Sequence, residues 1–163
     1  FIHLWIKNGR RFSRLLTSDK NGNNIHVLNN TGLTSHYVWL SNTKILSFSL
    51  DQKRGKKFFI YTDMTNVLTI FPIEEIKKDC HASYSPETNE IVFDSYPNIF
   101  GEMNLTVCNL NNYTSRKVVQ FISDNSFYGK NRCDLHPRWN NEGNKICCDA
   151  IDSKFRSMFV ITL

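Results

Sequence analysis

DLHPRWNNEGNKICCDA, residues 134–150, places a histidine, a tryptophan three positions on, a polar turn and a short apolar run in one compact unit. The same plan stands earlier in the chain, in SHYVWLSNTKILSFS (35–49) and CHASYSPETNEIVFDS (80–95). His36, His81 and His136 are each followed at the third position by a large aromatic, Trp39, Tyr84 and Trp139, and then by a turn. Each turn feeds an apolar run, starting at Lys44, Glu90 or Lys145. The interval between the first two histidines is 45 residues and between the next two 55, periods that belong to propeller blades rather than to helical repeats. The ten extra residues are insertions, which YPNIFGEM (96–103) and SDNSFYGK (123–130) can hold.

Working outward from the repeat, short runs rich in β-branched and aromatic residues alternate with Asn, Asp, Gly and Ser clusters, the pattern of an all-β chain. Within a repeat the expected order is an innermost strand beginning at the histidine, then second, third and outer strands. KFFIYT (57–62), LTVCNL (105–110) and MFVITL (158–163) are third strands, and NVLTI (66–70) and KVVQF (117–121) are outer ones. FIHLWI, RFSRLLTSD and NIHVLN, within residues 1–29, supply a blade without its innermost strand. The reading is thus an all-β, partial β-propeller of three to four blades, at 1–29 (partial), 36–71, 81–121 and 136–163. The whole is one propeller region, read as a piece of a longer propeller or one completed by self-association. Trp39, Tyr84 and Trp139 should be mostly buried at equivalent positions, and IEEIKKD (73–79) can make a helical turn between repeats.

The 163 residues are 40% hydrophobic and 13% aromatic, enough for a core and unlike a disordered chain. No run approaches the roughly 18 apolar residues of a membrane span, and the opening residues are too polar for a secretory signal. Five cysteines, two of them adjacent in a strand and so on opposite faces, read as reduced thiols in a cytoplasmic protein. Sequons at Asn29, Asn104 and Asn112 matter only on a glycosylating route. The net charge of +5 draws on KNGRRFSR (7–14) and KRGKK (53–57), both expected at hairpin tips. This favours an anionic partner, but no recognition helix or zinc finger accompanies it, which argues against nucleic acid.

HPRWNNEGNKICCDA, with HASYSPETNEIVFDSYP before it, resembles the H-P-x-W-S-P-D-G-x-x-I-x-F-D repeat of TolB-like propellers. More narrowly, from about His3 to Leu163 the chain is similar to bacterial oligogalacturonate lyases and their uncharacterised relatives. That resemblance implies a divalent metal, typically manganese, bound near the central channel, and β-elimination on acidic oligosaccharides. It implies that His81 and His136 are metal ligands, that His36 is the catalytic base and that Arg14 faces substrate as a catalytic residue. His3 matches a histidine at the end of a family strand and is expected at the substrate. The family's Q-x-x-H-x-H stretch, its last ligand stretch, reads NRCDLH here (131–136), so Asn131 stands in place of the glutamine and is expected at the substrate, and Asp134 stands for a histidine ligand.

The chemistry suits these residue types. Neutral imidazoles leave a bound cation most of its charge, an arginine pairs a carboxylate with two bonds, and an imidazole titrates near neutrality as a general base must. If blades are related by rotation, His36, His81 and His136 project around one channel. Taken singly, each histidine is better explained as a hydrogen-bonding residue at a blade junction; only as a set do the three point equally to a metal or catalytic site. His26 is expected to be a surface or packing residue on an outer strand, and Asp94 and Asp149 either line the channel or, the preferred reading, cap turns. The alternative to a lyase is a noncatalytic propeller that binds a glycan or a protein.

Overall fold

The computed structural model describes residues 1–124 and 126–163, and these form successive antiparallel sheets. The first sheet holds β1 (Ile2–Lys7), β2 (Arg10–Thr17) and β3 (His26–Gly32); the second holds β4 (Thr34–Trp39), β5 (Lys44–Asp51), β6 (Gly55–Thr62) and β7 (Leu68–Ile70). The third holds β8 (Ala82–Ser85), β9 (Glu90–Asp94), β10 (Glu102–Asn109) and β11 (Thr114–Ile122). The fourth holds β12 (Arg138–Trp139), β13 (Lys145–Asp152) and β14 (Phe155–Thr162). Every sheet runs in chain order, so each turn needs only local pairing. Asn8 and Gly9, at φ 51° and 71°, make the tight β1–β2 turn with two left-handed residues, the geometry that matches strand twist. Both basic clusters fall at hairpin turns, as expected.

The chain divides into two compact units, residues 1–72 with 77–79 and residues 73–76 with 80–163. In the first, Leu15, Ile45, Phe59 and Tyr61 form the core. In the second, Val92, Met103, Leu105, Val107, Leu135, Ile146, Cys148 and Ala150 do. Alternation sets these faces. In β13, Ile146, Cys148 and Ala150 are buried while Cys147 points the other way and is half-buried, as a two-residue period requires. All five cysteines are free, and burial, helped by nearby acidic groups, pushes the Cys108 and Cys148 thiols up to about 12.

The repeat is visible in the register: Trp39 faces Ile45, Tyr84 faces Ile91 and Trp139 faces Ile146, each isoleucine being buried. The expected burial of the aromatics holds less well. Tyr84 and Trp139 are half-buried, and Trp39 is 43% exposed. Cover comes from a neighbouring sheet rather than from the strand itself: Trp139 packs on the second unit's core and donates its indole N–H to the Ser83 carbonyl at 3.1 Å. Residues 73–79 make no helix, only a turn closed by the Ile76 N–H on the Ile73 carbonyl. Among the described residues the helical segment is a 3₁₀ turn, Gly129–Asn131, and no helix is long and apolar enough to cross a membrane.

Asn29, one of the sequon asparagines, is buried and acts as a polar hub. It donates to the Leu50 carbonyl and the Tyr61 hydroxyl, and its carbonyl accepts from Thr31 and Thr34. Burial raises the Tyr61 hydroxyl above its ordinary value of 10.0, and the hydrogen bonds to Ser49 and Asn29 only partly oppose this. A phenol whose folded value exceeds its unfolded one contributes stability that is full below the unfolded value and lost as pH rises through the folded one. Tyr61→Phe is therefore expected to lose less stability than the parent between about pH 8 and about pH 11, read by urea unfolding at the two ends.

Candidate functional site

In the second unit the antiparallel β8–β9 pairing sets His81, just before β8, opposite Asp94 at the end of β9, where the Asp94 N–H bonds the His81 carbonyl. The Asp94 side chain is 1% exposed. Its Oδ1 accepts the His81 backbone N–H at 2.7 Å, and its Oδ2 accepts His81 Nδ1 at 2.8 Å and the His136 backbone N–H at 3.2 Å. A carboxylate at that position only accepts, so Nδ1 of His81 carries a hydrogen and, in the neutral imidazole, Nε2 carries the lone pair. His136 has a left-handed backbone, φ 41°, a conformation costing roughly 1–2 kcal/mol. Its Nδ1 lies 3.2 Å from the Asp134 carbonyl, which likewise fixes the proton on Nδ1. The two imidazole centroids are 3.9 Å apart.

Asp134 completes the cluster: ligand atoms of His81, Asp134 and His136 all lie within 4.8 Å of one another. Two ligands about 2.1 Å from one ion stand at most about 4.2 Å apart, so small side-chain rotations close this set on a cation. Two imidazoles and a carboxylate, with a second carboxylate orienting one imidazole from behind, fit a divalent ion. Arg132 grips Asp134 through Nε and Nη2, the latter at 2.8 Å, and lies over the Tyr96 ring at 4.6 Å. Tyr96 in turn meets His81 edge-on at 5.8 Å. Burial opposes ionisation of Asp134, yet the Arg132 hydrogen bonds and charge, with His81 and His136 beside it, hold its carboxyl below the ordinary range. Each carboxylate oxygen has two lone pairs, so the arginine does not exhaust the acceptor.

The first unit holds two further arrangements. His36, on β4, places Nδ1 3.0 Å from Asp79 Oδ1 and 3.1 Å from the Ser35 hydroxyl, so Nδ1 carries the hydrogen that Asp79 accepts. Arg14 and His3 are cross-strand partners on β2 and β1, and Arg14 Nε donates to His3 Nδ1 at 3.1 Å. His3 stacks on Trp5, and Trp5 on Phe12, with Arg14 5.7 Å from the Trp5 ring centre.

Of the residues nominated from sequence, the structure therefore brings together His81, Asp134 and His136 in one unit, and His3 with Arg14 in the other. Asn131 is exposed in the 3₁₀ turn, where its carbonyl receives Arg156. His26 bonds the Thr65 carbonyl from β3, as a packing residue would. Asp94 does more than cap a turn. The repeat is also not strictly regular: the Asp149 N–H bonds the Leu135 carbonyl, one residue earlier than the His81 equivalent. This one-residue bulge swings His136 out of strand register. Sequence reasoning did not assign Asp79, Arg132 or Tyr96, and did not foresee that Asp94 bonds His81 and His136. The spacing of Asp94, thirteen residues after His81 across a hairpin, was the available signal.

No protein-family model matches the chain, and no curated protein matches it. Among solved structures it is similar to TolB from Acinetobacter baumannii, with a TM-score of 0.54 at 11% identity over 92% of this chain and 46% of that one. It is also similar to the β-propeller domain of the trilobed protease from Pyrococcus furiosus, with a TM-score of 0.52 at 12% identity over 79% of this chain and 39% of that one. The chain spans less than half the length of either. At such identities the likeness establishes the fold alone: a TolB-like β-propeller.

Proposed function

We propose that the His81–Asp134–His136 cluster binds a divalent cation, manganese being the first candidate, and that the protein acts on acidic oligosaccharides by β-elimination. The observation that carries the reading is the convergence of three ligating side chains whose imidazoles are each held in the tautomer a cation needs. A divalent ion there would supply Lewis-acid stabilisation to a uronate carboxylate as the neighbouring proton leaves. His36 is the proposed base. As the resemblance implies, its imidazole would take the proton beside a uronate carboxylate; the electron pair would form the new C=C bond, and the glycosidic C–O bond would break to an oxygen protonated by the imidazolium so formed. Arg14 is proposed to pair with a carboxylate, steadied by His3 and Trp5.

The noncatalytic alternative rests on the same cluster. Arg132 already claims both oxygens of Asp134, which suits a binding site as well as a reactive one. Alanine variants separate the two. His81→Ala and His136→Ala are expected to lower bound manganese about tenfold or more in elemental analysis while leaving the β-sheet spectrum intact. His36→Ala is expected to keep the metal and lose about a hundredfold or more of unsaturated product from oligogalacturonides, read by absorbance. Parent protein that binds manganese and oligogalacturonide but releases no product is a binding module. Unchanged metal content in both His81 and His136 variants overturns the cation site.

A further inference from the structure

The two insertions that lengthen the second repeat meet. The Ser123 N–H donates to the Gly101 carbonyl at 2.7 Å, and between the β9–β10 connection and the segment after β11 lies a groove of about 410 Å³, within the usual size range of small-ligand sites. Its walls include Ile99, Phe100, Asp124, Phe127, Tyr128 and Arg132. The loops are pinned from within. Asn98 Oδ1 accepts the Phe100 and Glu102 N–H groups, and Asp124 Oδ1 accepts both the N–H and the hydroxyl of Ser126. Yet Ile99, Phe100 and Tyr128 are 91, 74 and 75% exposed. Single apolar residues on a surface need no explanation, but several gathered around one concavity mark a binding site.

Arg132 belongs to this groove and also to the cation cluster, where it grips Asp134, so the two are continuous. We propose that the groove is a second subsite, holding a neutral, hydroxyl-rich sugar ring next to the acidic residue bound at the His81–Asp134–His136 cluster. This rests on reading that cluster as an acidic-oligosaccharide site. The aromatic faces of Phe100, Phe127 and Tyr128 carry negative quadrupole charge and attract the weakly positive C–H face of a sugar. Asp124 offers a carboxylate to hydroxyl groups and repels a second carboxylate. The guanidinium that could offset that repulsion is committed to Asp134 and to the Tyr96 face. A protein occupant fits less well, since a stable interface uses about 20–30 residues a side and twelve of the described residues line this groove.

The test is calorimetry in manganese with galacturonate, digalacturonate and a disaccharide of galacturonate and neutral rhamnose, on the parent, Phe100→Ala and Tyr128→Ala. The mixed disaccharide is expected to bind the parent about tenfold more tightly than digalacturonate. Each variant should erase that preference while manganese and galacturonate affinities stay unchanged. Equal affinity for the two disaccharides, or variants that keep the preference, overturns the subsite and leaves the cluster reading standing, because galacturonate still binds. If the parent binds no galacturonate, the cluster reading fails. Methyl rhamnoside then decides the groove: binding lost in Tyr128→Ala upholds it as a neutral-sugar site, and no binding ends it. A dimer of the parent that Tyr128→Ala dissociates overturns it in favour of a protein surface.

Discussion

Asp94→Asn is expected to lower manganese affinity about 10- to 100-fold and to reduce stability by about 2–4 kcal/mol, although it changes one oxygen to nitrogen. In the parent this buried carboxylate accepts three N–H groups: two from His81 and the backbone N–H of His136. An amide offers one accepting end. Whichever way it turns, an NH₂ group faces a donor, and either a backbone N–H is stranded in a buried place or His81 must move its proton to Nε2. The second outcome removes the lone pair a cation uses. Calorimetry with manganese and urea unfolding read the two effects separately. Affinity and stability both equal to the parent's would show that Asp94 does not orient the histidines.

Gly143→Ala is expected to cost about 2–4 kcal/mol for a different reason. Gly143 sits in the β12–β13 turn at φ 67°, where a side chain is strained whatever the space. A Cβ there would stand 2.7 Å from the Ser85 hydroxyl and 2.8 Å from Thr88 Cγ2, in the neighbouring β8–β9 turn of the same unit. The two turns are pressed together with room for a hydrogen and nothing larger. Urea unfolding measures the loss. Adding Ser85→Ala should recover part of it, since the hydroxyl is one of the two colliding groups, while the backbone penalty remains. A Gly143→Ala protein as stable as the parent would mean that the turns separate at little cost.

Much of this fold was legible because its determinants are local. A turn of Asn, Gly and Asp residues followed by β-branched and aromatic residues describes one hairpin, and the thrice-repeated spacing of histidine and aromatic set Trp39, Tyr84 and Trp139 opposite buried isoleucines. Burial of those aromatics was less legible, because it depends on what a neighbouring sheet brings against them. Trp139 has Ser83 and the second core, whereas Trp39 stays 43% exposed. The candidate cluster was legible in the three side chains that could hold an ion and not in their supports. Resemblance nominated His81, His136 and Asp134, and the structure gathers them. The Asp94 bridge needs cross-strand register, the Asp79 partner of His36 comes from a connector without regular structure, and the Arg132 clasp comes from an insertion that no repeat pattern describes. The bulge before β12, which turns His136 toward His81, is a register shift invisible in spacing alone.

Arg132 has one more consequence, which concerns the order of events. Two carboxylates, Asp94 and Asp134, and one guanidinium give the cluster a fixed charge of minus one when its imidazoles are neutral. Such a cluster recruits cations and repels a uronate. A doubly charged ion reverses the sign to plus one, and the same place then attracts the anion it had excluded. Without Arg132 the sum would be minus two, the ion would merely cancel it, and no attraction would follow. On the proposed reading the arginine would make binding sequential, cation before sugar, and would give the second step a salt sensitivity that the sugar alone would not have.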